Sequence, residues 1–190
     1  MEYISLFRMP TPMKITGRSS SITNAFTNSI IPVVPPNTEE VKQALKILGM
    51  TPETFQCAYC GGVASEWDHL RPLVKDKKPT GYISEIHNLV PSCGKCNQSK
   101  GNKDWKVWMM GTAALSPTAR GIQDIAERIK RLEAYENWCM PTKMDFEAVA
   151  GKEVWSQHWQ NWERVQSLMR ESQELAAKIN LKVASAYKAL

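Results

Sequence analysis

Long apolar runs are missing from this chain. The longest stretch near the start, SIIPVVPP at 29–36, is too short and too rich in proline to span a bilayer. No membrane partner is expected. The opening MEYISLFRMP has no basic start followed by an apolar run, so it does not read as a signal peptide, and a cytoplasmic protein is the expectation. No internal repeat and no long low-complexity tract is visible, and no segment reads as a partner domain for guide RNA, ATP hydrolysis or signalling. Excess charge is modest too. With 24 Lys and Arg against 19 Asp and Glu, the formal +5 permits nucleic acid as a partner without demanding it.

What is present, in 190 residues that are 43% hydrophobic, is enough apolar material for one core with decoration. The cysteines are arranged. Four of the five fall as Cys57-x-x-Cys60 and Cys93-x-x-Cys96. Paired thiols without an export signal read as metal ligands rather than a disulfide framework. A redox dithiol normally uses one pair in a thioredoxin-like setting, which is absent. Four thiolates suit structural Zn²⁺ in a closed tetrahedral site. Cys139, in ENWCMP, reads as a small buried hydrophobe.

Local patterns place these motifs. Residues 1–36 read as an extended polar arm carrying Lys14 and Arg18, either strapped over the body or touching DNA. Thr38 reads as a helix cap with Glu39 and Glu40 in the first turn, and Gly49 as the stop. VASEWDHL predicts a strand ending near Arg71-Pro72, VKDKKPTG a basic loop, YISEIHNLV a second strand, and CGKCNQSK a short helix. Ser116-Pro117 predicts a cap with proline at the first helical position, followed by Ile122, Ile125, Ile129 and Leu132 at helical spacing. Val165, Leu168, Ser172, Leu175, Ile179, Val183 and Ala186 mark a second long helix, near a seven-residue period that allows body packing or pairing with another copy. Trp105, Trp108, Trp155, Trp159 and Trp162 read as core. The organisation expected is 1–54 arm and helix, 55–110 core, and 111–190 helical region.

The stretch HNLVPSCGKCNQSKGNK, 87–103, holds more than a zinc knuckle requires. Its Asn88 and Asn97 follow Asp68-His69 upstream. The order D-H…N…C-x-x-C-N, framed by the first C-x-x-C, resembles the HNH endonucleases of the ββα-metal class. Many members carry histidine where this chain has Asn97, and asparagine is an accepted variant. The resemblance implies an α+β, treble-clef-like ββα core stabilised by zinc. It implies His69 as general base, Asp68 and Asn97 as oxygen ligands of Mg²⁺ (Mn²⁺ may substitute), and Asn88 as holder of the loop that orients His69. It also implies products with a 5′-phosphate and a 3′-hydroxyl. Imidazole suits the base role because its ordinary pKa lies near neutrality. Neighbours on a regular strand face opposite sides, so Asp68 and His69 can serve one site only where the strand twists or ends, and the following Arg71-Pro72 points to an ending. His87 should turn away from Asn88, and His158 reads as a helix-face histidine.

Arg71, Lys75, Lys77, Lys78, Lys95, Lys100, Lys103 and Lys106 surround the motif and are the candidates for DNA phosphate contact. The reading is a DNA endonuclease of type II restriction or a related defence kind, acting on double-stranded DNA as a homodimer. A nicking or homing-type enzyme, or a zinc module that binds nucleic acid without cutting, are the alternatives. Recognition sequence and choice between DNA and RNA are not written in any motif.

Overall fold

Residue 7 and residues 9–188 are described by the structure, a computed structural model, and they fall into two units, residues 27–149 and residues 1–26 with 150–190. In the first, helix α1 (Ser19–Asn28) leads in from the other unit and helix α2 (Thr38–Leu48) follows. The cap of α2 is Asn37, one residue before the expected Thr38. Its side chain accepts from Glu40 N at 2.9 Å while Glu40 Oε2 accepts from Asn37 N at 2.8 Å. Gly49 ends the helix as expected, at φ 67°, where a Cβ would meet Arg131 at 2.9 Å.

The first cysteine pair sits on a turn closed by Gly61 N donating to Cys57 O at 2.9 Å. Strand β1 (Glu66–His69) follows, then a hairpin of β2 (Val74–Lys75) and β3 (Lys78–Pro79), then β4 (Leu89–Ser92) and α3 (Gly94–Lys100). The expected basic loop is this hairpin; Asp76 and Lys77 at positive φ give its two-residue turn the twist that hairpins favour. β1 and β4 pair antiparallel, Asp68 opposite Val90 and His69 opposite Leu89. The second strand is shorter than YISEIHNLV predicts. Residues Ile86–Asn88 form a 3₁₀ turn because Tyr135 and Asn88 draw the local backbone out of register with β1.

Helices α4 (Trp105–Met110) and α5 (Ile125–Trp138) complete this unit. Its main core joins Ala44 and Leu48 of α2, Tyr59, Leu70 and Val90 around the sheet, Trp105, Trp108 and Met109 of α4, and Leu132 and Tyr135 of α5. Burying such aromatic and aliphatic side chains contributes about 1.5–3 kcal/mol each. Ser116 does cap a turn, its Oγ accepting from Ala119 N at 3.2 Å while donating to Gly111 O at 2.7 Å, but the chain turns back on α4 and no helix follows until Ile125. Cys139 is exposed, not buried, because α5 ends there in extended backbone.

The expected extended arm is instead a 3₁₀ turn, Ile15–Arg18, running into α1. Its buried side includes threonines, so no apolar period is visible; Thr23 Oγ1 satisfies itself on Ser19 O at 3.0 Å. After α6 (Phe146–Ala150), the long helix α7 (Lys152–Lys188) packs against that segment. Ile15 N reaches Gln173 at 2.7 Å, Ser19 reaches Gln166 at 2.5 Å and Trp162 reaches Thr23 at 3.1 Å. Trp159 is buried as expected, and Trp155 and Trp162 are half-buried. No helix among the described residues is long and apolar enough to cross a membrane.

Tyr135, fully buried, donates its hydroxyl to Ile86 O and to Leu89 O, which sets where β4 begins. Tyr135→Phe should strip both carbonyls of a partner and lower stability by about 1–2 kcal/mol, read as a shifted urea midpoint at unchanged slope.

Candidate active site and metal centre

The turn after Gln56 and the N-terminus of α3 bring the cysteines together. The sulfurs of Cys57, Cys60, Cys93 and Cys96 all lie within 4.8 Å of one another, and Cys60 and Cys93 are 3.7 Å apart. Tetrahedral bonds of about 2.3 Å to zinc would hold sulfurs roughly 3.8 Å apart. Four thiols this close cannot all ionise unaided. Hydrogen bonds from Cys57 and Cys96 push Cys60 far down, while Cys57 and Cys96 are pushed up by the negative sulfur they face. A bound cation lets all four become thiolates, and the donor set is compatible with zinc.

On β1, alternate residues separate two faces. Asp68 points to the core side, 5% exposed. Tyr59 donates to its Oδ2 at 2.6 Å, and the Lys100 ammonium lies 3.2 Å from Oδ2 and 3.3 Å from Oδ1. Lys100 is fully buried and also donates to His69 O at 2.8 Å and Gly101 O at 3.3 Å. Burial pushes Asp68 up and Lys100 down, each toward its neutral form, against the attraction of the pair. With both oxygens of Asp68 and the His69 carbonyl in its reach, the ion pair is the form that this geometry satisfies. Lys100 therefore corrects the sequence reading: it is no phosphate contact but a clamp on the Asp68–His69 peptide.

His69 faces the other way. Its Nε2 shares a 2.8 Å hydrogen bond with Ser84 Oγ. Burial first, and the Lys100 charge second, hold its pKa down at about 4, so the ring is neutral at pH 7. When Nε2 carries the proton toward Ser84, the lone pair sits on Nδ1. Asn97, on α3, donates from Nδ2 to Glu66 Oε2 at 2.7 Å, which leaves its carbonyl oxygen free of that contact. Glu66 and Asp68 lie two apart on one strand face, so Asp68, Glu66 and Asn97 border the same junction of β1 with α3. Asn88 is buried and reads the backbone of Arg71 in both directions, accepting from its N at 2.8 Å and donating to its O at 3.0 Å.

The cationic residues divide. Lys75, Lys77, Lys78, Lys95 and Lys103 are exposed. Arg71 is not: it pairs with Glu136 at 3.1 Å, its side chain 17% exposed, with Nη1 buried and unpartnered. It braces the loop after β1 and corrects the phosphate assignment. Lys106 is tied to Glu133. His87 stacks near Trp138 at 4.7 Å, and His158 against Phe26 at 5.2 Å, away from His69 in sequence and in partners.

Tyr59, Glu66 and Ser84 escaped the sequence reading. Glu66 was open to discovery as the acid two residues before Asp68, on the same face of the strand. Nothing local marks Tyr59 or Ser84, whose roles come from partners 9 and 15 residues away.

A small antiparallel pair, a helix and a four-cysteine cluster compatible with zinc make up a ββα domain. Residues 57–103 match the family model of the HNH endonuclease, so this part of the chain is an HNH endonuclease domain. Over 65 residues the chain is 40% identical to the CRISPR-associated endonuclease Cas9 of Corynebacterium diphtheriae, a match covering 32% of this chain and 6% of that protein. No solved structure matched.

Lys100→Met should leave the Asp68 carboxylate buried and unpaired, costing about 3 kcal/mol in urea unfolding. A loss under about 1 kcal/mol would sink the clamp.

Proposed function

We propose that the chain is a metal-dependent endonuclease hydrolysing phosphodiester bonds of double-stranded DNA, of the type II restriction or a related defence kind, working in the cytoplasm. The observation that carries this reading is the neutral His69 imidazole, held through Nε2 by Ser84, at a strand end inside an HNH domain. Nδ1 is then the atom that takes the proton from the attacking water. Asp68 and Asn97, with Glu66 beside them, would hold a hard cation such as Mg²⁺ or Mn²⁺, which would absorb the charge that builds on phosphorus and the leaving oxygen.

The residues fit that ion as a site completed by substrate. Asp68 Oδ1, with Lys100 as its one partner, has a second lone pair, and Asn97 keeps its carbonyl oxygen. Among the described residues the cysteines are the one group of three or more His, Cys, Asp or Glu placed to hold a metal, so phosphate and water must supply the remaining ligands. The cysteine site takes structural zinc. Asn88 is a positioning residue, fixing the backbone just beyond His69. Lys75, Lys77, Lys78, Lys95 and Lys103 supply positive charge for the DNA backbone.

Cutting both strands asks for two active centres, and a symmetric pair of chains provides them on a palindromic site. On α7, Leu168 is 62%, Leu175 59% and Ile179 53% exposed, an apolar row that supports pairing of two copies there.

With Mg²⁺ or Mn²⁺ the purified protein should nick or linearise plasmid, and His69→Ala should abolish this while circular dichroism and zinc content stay unchanged. Robust cutting by that variant removes the mechanism. Salt-sensitive binding without cleavage by the unmodified chain would point to a binding module instead. Elemental analysis should find one zinc per chain. Light scattering should report a dimer that Leu175→Glu reduces to a monomer; a monomer with and without DNA ends the pairing idea.

A further inference from the structure

The Ser116–Ile122 segment lies outside the HNH match, yet hydrogen bonds fasten it firmly. Ser116 is fully buried and donates its hydroxyl to Gly111 O at 2.7 Å. Thr118 donates from both N and Oγ1 to Met109 O, at 3.2 and 2.7 Å. Arg120 N closes onto Ser116 O at 3.1 Å. A turn fixed to α4 in this way delivers the Arg120 guanidinium to a defined place, where Nη1 donates to Cys96 Sγ at 3.3 Å. No carboxylate among the described residues pairs with Arg120; its charge answers sulfur.

A second arginine reaches the knuckle from α5. Arg128 is 7% exposed and donates from Nη1 to Cys57 O at 3.3 Å. Asp124 holds the guanidinium by two contacts of 2.8 Å. Gly61 makes the room: a Cβ there would lie 2.4 Å from Arg128 Nη2.

Four thiolates around one Zn²⁺ leave a net charge of about −2, in a place where Cys57 and Cys96 are buried. Such charge is unfavourable away from water unless cations or N–H donors face it. We propose that Arg120 is the cationic outer partner of this zinc–thiolate centre, with Arg128 bracing the Cys57 backbone, so that the segment following the HNH domain retains the metal within it. This rests on the zinc reading of the cysteine cluster and is independent of nuclease activity. Arg120 donates a charge-assisted hydrogen bond to Cys96 Sγ, which holds that sulfur in the place where it would ligate zinc.

The test uses full-length chain and four proteins: unmodified, Arg120→Gln, Arg120→Lys, and Arg164→Gln on the exposed side of α7 as control. Zinc content is measured first, then the rate of zinc transfer to a colorimetric chelator under native conditions. Arg120→Gln should release zinc about tenfold faster, Arg120→Lys should fall between, and Arg164→Gln should match the unmodified chain. With Co²⁺ in place of zinc, the sulfur-to-metal charge-transfer band should shift in Arg120→Gln. If the unmodified chain binds no zinc, the cluster reading fails. If it binds zinc and Arg120→Gln releases it at the same rate, this inference is overturned and the cluster reading stands. Should Arg120→Gln fail to fold, Arg120→Lys decides: an unchanged release rate and cobalt spectrum there overturn the proposal.

Discussion

Sulfur closes the ββα unit. Residues 57–60 lead toward β1 and residues 93–96 open α3, and the meeting of their four thiols joins the two, beside the Ala58 N to Pro91 O hydrogen bond of 2.8 Å. A sheet of two four-residue strands cannot stand alone in water. Its remaining support comes from the aromatic core under it and from the Tyr135 hydroxyl at the start of β4. A small scaffold of this kind needs a covalent or metal staple, and the cysteines are where this chain places one.

At the opposite end of α3 an ammonium does the equivalent work. Lys100 lies one helical turn beyond Cys96, so the same face of the helix that anchors at the knuckle presents a charge to the end of β1. There it meets the Asp68 carboxylate and the His69 carbonyl together. Strand alternation thus keeps the two adjacent side chains on opposite faces of β1. Asp68 stays on the helix side, His69 turns to Ser84, and the peptide between them cannot shift without breaking a buried ion pair. The field of the same ammonium also helps keep the imidazole unprotonated.

Much of this was legible in the chain. The cysteine spacing and the helix stop at Gly49 carry their meaning locally. What misled was side chains whose partners lie far off in sequence. Lys100 looks like any lysine of a basic tract until Asp68, 32 residues earlier, is placed beside it. Arg71 looks free until α5 supplies Glu136. The arm before residue 28 hides a helix because threonine and serine, not leucine, form its inward side. Ser116-Pro117 makes the capping contact of a helix start, to Ala119 N, yet only a turn follows it.

The second unit joins segments far apart in the sequence, with contacts between Ile15 and Gln173 and between Ser19 and Gln166 spanning 158 and 147 positions. During synthesis residues 27–149 can therefore condense as soon as α5 and α6 leave the ribosome, whereas the first helix waits for α7 before it gains a companion. Such distant closure is slow relative to local contacts, because the ends of a long loop must find each other. Residues 27–149 thus gain their contacts first, and Ile15 and Ser19 gain theirs with α7 last.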